Sequence, residues 1–205
     1  RMQGLAARLA RRVTLTLAAI LGMTAASGAA MADESTHKGY EMPPYTVEWS
    51  EGAREVRAYG PHLLAEVHAG GGRQGAIQTG FGILAGYIFG GNAAGEKIAM
   101  TVPVAQTAED GHWVVSFMMP ARFSSDSLPA PKDNRIHFVV VGPSRQLVER
   151  FSGLPATDDL ALRAETLRAW AKTNGYEVTA GPHYYFYDAP MTPPWKRRNE
   201  VAFTL

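Results

Sequence analysis

The stretch His62-Leu63-Leu64-Ala65-Glu66-Val67-His68, then Gly70-Gly71-Gly72, then Ile77-Gln78-Thr79-Gly80-Phe81-Gly82-Ile83-Leu84-Ala85-Gly86-Tyr87-Ile88, decides the fold. Its first part alternates with period two, so Leu63, Ala65 and Val67 point to one face of a strand and His62, Leu64, Glu66 and His68 to the other. The second face is the polar one and is expected to be solvated. Three glycines break the strand, and Ile77, Phe81, Leu84, Ala85 and Ile88 then recur at helical spacing. Gly90-Gly91-Asn92 supplies the stop.

Working outward, Glu55–Tyr59 reads as a strand joined to Leu63–Val67 by the turn Gly60-Pro61. Beyond the helix, Ile98–Gln106 alternates as a strand, with Trp113–Met119 as its hairpin partner. The second half repeats this order. Ile136–Val141 and Leu147–Phe151 flank Gly142-Pro143, and a helix runs from about Asp158 to Asn174 with Leu160, Ala164, Leu167 and Ala171 on one face. Strands at His183–Tyr187 and Glu200–Phe203 close the unit. Thr157 or Asp158 is the expected cap of the second helix, and Asn174-Gly175 its stop. Two ββαββ halves predict an α+β domain: an antiparallel sheet of about eight strands with both helices packed against it.

Gly80, Gly82 and Gly86 inside the first helix each cost about 1 kcal/mol relative to alanine. Two readings account for them: close approach of a neighbouring strand, or a planar ligand lying across a helix face that lacks bulk.

Gly70-Gly71-Gly72-Arg73-Gln74-Gly75 matches a dinucleotide fingerprint literally, but the next strand contains Pro103 and leads into a hairpin instead of a parallel unit. Gly90–Lys97 fails as a phosphate loop, since Glu96 holds the lysine position and a strand follows. Asp158-Asp159 at a helix start favours the helix dipole and needs no catalytic role. His62, Glu66 and His68 share a strand face with about 7 Å between alternate residues, a metal-site pattern weighed against a solvated surface. Met100, Met118, Met119 and Met191 read as core, with Met100 kept as a ligand-facing candidate. No catalytic constellation emerges, so an enzyme is not expected.

Arg8, Arg11 and Arg12, an apolar run Val13–Met23, and Ala30-Met31-Ala32 predict a cleavable signal peptide over 1–32, with an uncleaved anchor as the alternative. The apolar run is shorter than the roughly 20 residues of a membrane span. A flexible mature N-terminus over 33–44 and a single domain over 45–205 are expected. Four of the 20 basic residues (Arg1, Arg8, Arg11, Arg12) fall in the leader, leaving 16 basic against 19 acidic side chains and a charge near −3. That balance argues against a nucleic-acid partner. With no cysteine there is no disulfide framework, thiolate nucleophile or thiolate metal ligand.

Three segments resemble the SOUL haem-binding family: Ala76–Phe81 through Tyr87–Asn92, Lys97–Val104, and Pro190–Pro194 followed by Arg197–Val201. With Glu55-Val56-Arg57 and Tyr59-Gly60-Pro61, the similarity spans about Tyr40 to Leu205. The resemblance implies a distorted antiparallel β-barrel flanked by two helices, in two pseudo-symmetric halves, and reversible non-covalent binding of haem or a related tetrapyrrole. It places the porphyrin against the first helix, on Gln78, Phe81, Ala85 and Gly86, with Thr192–Lys196 opposite. Arg73, Lys196 and Arg197 are the cations it offers to the propionates. Ala58 stands where a vertebrate relative has a histidine proposed as iron ligand, with His62 just beyond the turn.

The expected function is therefore a carrier, buffer or scavenger of haem or another tetrapyrrole outside the cytoplasm, periplasmic or secreted, acting as a monomer without a membrane span after cleavage. The expected cofactor-binding residues are Gln78, Phe81, Leu84, Ala85, Ile88, Met100, His62 and Lys196; the metal ligand is left open. The alternatives are a binding module for another amphipathic molecule (lipid, bilin or aromatic cation) and, in a different class, a tetrapyrrole-modifying enzyme using Glu66 and His68.

Overall fold

The computed structural model describes residues 34–205. The chain runs β1 (Glu34–His37), β2 (Tyr40–Glu51), β3 (Arg54–Tyr59), β4 (His62–Ala69), α1 (Arg73–Ile88), β5 (Val104–Glu109), β6 (His112–Met118), β7 (Ile136–Val141), β8 (Ser144–Phe151), α2 (Thr157–Thr173), β9 (Ala180–Phe186), a 3-10 turn (Pro194–Lys196) and β10 (Asn199–Thr204). The signal-peptide reading of 1–32 lies outside the described residues.

All ten strands form one sheet, in the order β1-β2-β3-β8-β10-β9-β5-β6-β4-β7. Every paired strand is antiparallel. The duplication is visible in this order. Matching β3, β4, β5 and β6 with β7, β8, β9 and β10 turns the sequence β3-β8-β10-β9-β5-β6-β4-β7 into its own reverse. The pseudo-two-fold axis therefore passes between β5 and β9. Each half also lends its first strand to the other: β3 pairs with β8, and β7 pairs with β4.

The α+β class and its two ββαββ halves stand, with differences in detail. The sheet has ten strands instead of about eight and does not close, because β1 and β7 remain as edges. Residues 34–44, expected as a flexible lead-in, are strand-paired: Thr36 opposes Glu41, and Tyr45 opposes Tyr59. The expected strand at Ile98 begins only at Val104, because the Ile98 N–H donates to the last helical carbonyl, Ile88 O, at 2.8 Å instead of to a strand. Neither Thr157 nor Asp158 caps α2; the Asp159 carboxylate accepts the Ala156 N–H at 3.1 Å.

Both helices lie on one side of the sheet. Leu63, Ala65 and Val67 of β4 and Val115 and Phe117 of β6 pack with Leu84, Tyr87 and Ile88 of α1. Leu160, Leu167 and Ala171 of α2 pack on Val56, Leu147, Val201 and Phe203. A third cluster, Met42, Tyr45, Tyr59, Val102 and Tyr187, fills part of the opposite face. There β2 and the 101–102 segment cover one end and leave the other end hollow.

Candidate functional site

Among the concavities of the described residues are an open groove along α1 and a cleft on the face of the sheet turned away from the helices.

The glycines of α1 serve two purposes. A Cβ on Gly80 would lie 2.7 Å from Val115 Cγ2, so this glycine lets the helix sit down on β6. A Cβ on Gly82 or Gly86 would meet nothing within 4 Å. With Gln78, these two form the outward face of the helix. They border a shallow groove of about 970 Å³ with Thr79, Ile83 and the 132–136 segment. Close strand approach and an open helix face are both present, at different glycines.

The end of α1 is fixed by Asn92, which is wholly buried. Its side-chain NH2 donates to the carbonyls of Tyr87 (3.1 Å) and Glu96 (2.7 Å), and its Oδ1 accepts the Glu96 N–H at 3.0 Å. The backbone N–H of Lys132 donates to Gly91 O at 3.1 Å, which ties the far wall of the groove to the helix end. Lys132 and Arg135 both line that wall. Arg135 is gripped by Asp133 through contacts of 2.9 and 2.6 Å, whereas Lys132 forms no ion pair with any described residue. Tyr87 reaches the groove, but its hydroxyl donates to Pro129 O at 2.8 Å, and burial pushes its pKa up to about 12. The groove lining includes no histidine, cysteine or methionine.

The residues expected from the sequence fall in several places. Gln78 is exposed on the open face, Ala85 is half-buried beside it, and Phe81 is 41% exposed on its flank, edge-on to Phe117 at 5.4 Å. Leu84 and Ile88 are 0% and 1% exposed inside the core, so they support the helix and cannot form a shelf for a ligand. Met100 is half-buried against the same core. Lys196 is exposed in the 3-10 turn, which is held to the β8–α2 connection by the Gly153 N–H donating to Pro194 O.

The remaining expected cations are already engaged. Arg73 donates to Gln106 Oε1 at 3.0 and 2.6 Å, and Arg197 donates to the carbonyls of Thr192 and Pro190. The cations at the groove, Lys132 and Arg135, were missed because they sit in the β6–β7 connection, remote in sequence from the helix they face.

The cleft has a volume of about 560 Å³ and takes residues from every strand between β3 and β7 in the sheet order. His62, Leu64 and Glu66, read as a solvated strand face, are half-buried and line it. His62 Nδ1 lies 2.9 Å from Gly60 O, and burial lowers the pKa of the ring despite that carbonyl. Burial raises the pKa of Glu66. Across the pseudo-axis, His183 is held between the hydroxyls of Thr107 and Thr204, each 3.0 Å away, and burial pushes its pKa down to about 4. Among the described residues, no three histidine or carboxylate side chains are placed to hold a metal ion.

One wall is aromatic and braced from behind. Tyr185 donates to Gln146 Oε1 at 3.0 Å, Tyr59 accepts from Arg57 at 3.0 Å, and Tyr187 donates to Glu200 at 3.0 Å. Arg57 and Glu200, both 0% exposed, form a two-pronged pair at 2.9 and 3.0 Å, and Arg198 Nε donates to the same carboxylate at 2.9 Å. Burial alone would raise the Glu200 pKa, but Arg57 and Arg198 overcome it and bring it down to about 2.

The family profile described as SOUL heme-binding protein matches residues 40–204. Heme-binding protein 2 from Mus musculus is 28% identical over 190 residues, which is 83% of this chain and 89% of that protein. Among solved structures, the EcmrR C-terminal domain superposes with a TM-score of 0.59 at 12% identity, covering 74% of this chain and 95% of that one. A hydrolase from Listeria innocua gives 0.51 at 11% identity, covering 76% and 93%. At such identities the structural likeness concerns the fold alone.

Proposed function

The chain belongs to the SOUL heme-binding protein family, and from that premise we propose that it binds haem or a related tetrapyrrole reversibly in the groove along α1. The observation that carries this reading is the pair Gly82 and Gly86, whose missing side chains leave an open strip of helix for a flat ring. Thr79 and Ile83 flank that strip, and Lys132 and Arg135 stand on its far wall where propionates would reach. Apolar burial at about 25 cal/mol per Å² gives several kcal/mol, hence micromolar affinity. Each exposed propionate pair adds only about 0–1 kcal/mol.

The groove fits the porphyrin ring and its carboxylates but offers the iron no imidazole, thiolate or thioether, and Tyr87 is committed to Pro129. Binding is therefore held by the ring. Metal-free protoporphyrin IX and haem should titrate with dissociation constants within about threefold of each other, both in the micromolar range. The double variant Lys132→Glu/Arg135→Glu should weaken both. Absence of a saturable Soret change with either ligand at tens of micromolar would remove the proposal.

The activity proposed is binding, not turnover, and its setting is outside the cytoplasm, as a carrier or scavenger. The basic, apolar and small-residue pattern of residues 1–32 supports that setting. Fractionating the native host and sequencing the protein's N-terminus tests it. Recovery in the cytoplasm with residues 1–32 intact would refute it.

A further inference from the structure

The cleft on the concave face is not used by the proposed tetrapyrrole groove, and its chemistry has the opposite sign. Its volume of about 560 Å³ lies within the usual range for small-molecule sites. Glu66, Glu109 and Asp110 line it, and no lysine or arginine does. The two histidines in the lining add no positive charge at neutral pH, because burial lowers the pKa of each.

Glu66 is the group left without a hydrogen-bonded partner: burial raises its pKa, and Glu109 adds to that against the pull of the nearby His68 and His137. It stands on β4 with Ser116 of β6 opposite on one side and His137 of β7 on the other. None of the described residues gives it a hydrogen bond or an ion pair, although it is half-buried. Removing a carboxylate from water without a partner is costly, and a ligand carrying positive charge would offset that cost. Tyr59, Tyr185 and Tyr187 supply the other half of the recognition. Their hydroxyls are engaged with Arg57, Gln146 and Glu200, so the rings are held in place as a fixed aromatic wall. Aromatic faces and a carboxylate together favour a flat organic cation over a neutral or anionic ligand.

We infer that the cleft is a second binding site, for an amphipathic aromatic cation whose rings lie against Tyr59 and Tyr185 and whose charged nitrogen is met by Glu66. The dianionic porphyrin is excluded from it by charge, and the cation is excluded from the α1 groove by Lys132 and Arg135. The two sites open on opposite faces of the sheet, so both ligands bind at once.

Ethidium, a planar aromatic cation, is the probe, followed by its fluorescence on titration with the purified protein. Saturation in the micromolar range is expected, undiminished by protoporphyrin IX. The anion 8-anilinonaphthalene-1-sulfonate should not displace it. Glu66→Gln keeps the side-chain shape and should weaken ethidium at least tenfold while leaving the protoporphyrin titration unchanged. A second measurement needs no variant: amide shifts induced by ethidium should fall on Leu64–Glu66 and His183–Tyr185, not on Gln78–Gly86. Failure to saturate, an affinity within twofold in Glu66→Gln, displacement by protoporphyrin, or shifts confined to α1 would each overturn the inference. Failure to saturate, or an unchanged affinity in Glu66→Gln, leaves the porphyrin reading of the α1 groove standing, because Glu66 is not part of that groove.

Discussion

Alanine placed at Gly80 and at Gly82, one at a time, tests how α1 divides its two faces. Both glycines lie mid-helix, so each replacement gains about 1 kcal/mol of helix propensity. At Gly82 nothing opposes that gain, since the new Cβ would have no neighbour within 4 Å. At Gly80 the Cβ would lie 2.7 and 2.8 Å from Val115 Cγ2 and Cβ, and Val115 is 0% exposed with no space to retreat. Overpacking of this kind costs about 1–3 kcal/mol. The variants should therefore differ by roughly 1–3 kcal/mol, with Gly82→Ala the more stable. For a domain of this size, 1 kcal/mol corresponds to about 2–4 °C in Tm, so calorimetry or urea titration resolves the gap. Val115→Ala should rescue Gly80→Ala and leave Gly82→Ala unaffected, giving a coupling of about 0.5–3 kcal/mol at the first site and none at the second. Gly82→Ala should also weaken protoporphyrin severalfold while raising Tm, because the methyl lifts the ring from the helix backbone. Equal stabilities for the two variants would refute the division of faces. A stabilised Gly82→Ala that binds porphyrin normally would move the ligand elsewhere.

Two further outcomes follow from the buried charges. Glu200→Gln should destabilise by about 3 kcal/mol in urea, because it removes the charged, two-pronged partner of the wholly buried Arg57, which keeps only Glu55 at 2.6 Å as a charged partner, and the carboxylate that Arg198 meets at 2.9 Å. An effect below 1 kcal/mol would mean that these guanidiniums are hydrated. His183, with its pKa lowered to about 4 by burial, is neutral in the fold. An unfolded histidine takes up a proton below about 6.5, so the stability is whole above that pH and is lost as pH falls toward 4. The loss is on the order of 3 kcal/mol. His183→Gln should flatten that part of the profile, leaving the Glu200 contribution, which is lost only as pH falls from the ordinary carboxylate range toward 2. An unchanged pH profile in His183→Gln would place the histidine in water.

The sequence shows the element order well, because period-two and period-3.6 patterns survive in β4, α1 and α2. It hides β2, where Pro43 and Pro44 argue against a strand; here the Pro44 carbonyl accepts the Gly60 N–H at 3.0 Å and so fastens the strand to the β3–β4 turn. Residues 98–103 alternate like a strand, yet the Ile98 N–H is spent on Ile88 O at the end of α1 and the Val102 N–H on Glu41 O of β2. Helical spacing grouped Phe81, Leu84 and Ile88 as a ligand shelf, although the same periodicity equally describes the face that packs on the sheet. The contacts of Gly80, the burial of Leu84 and Ile88 and the openness of Gly82 together fix the rotation of the helix.

The face of β4 marks where a one-dimensional pattern stops informing. Alternation separates Leu63, Ala65 and Val67 from His62, Leu64 and Glu66, but it cannot tell a face in bulk water from one curved over a hollow. The strand exchange makes the difference. Because β3 and β7 each cross to the other half, the pseudo-axis runs down the middle of the concave face, and strands remote in sequence supply both walls. The duplicated halves then diverge in chemistry: both supply histidine and tyrosine, His62 and Tyr59 from the first and His183, Tyr185 and Tyr187 from the second, but the carboxylates Glu66, Glu109 and Asp110 all come from the first. The helix side diverges as well, for only α1 carries bare glycines facing a cationic segment, while the outward face of α2 bears Leu162, Glu165 and Arg168. A symmetric frame thus yields two unlike recesses, one walled by Lys132 and Arg135 and the other lined by Glu66, Glu109 and Asp110.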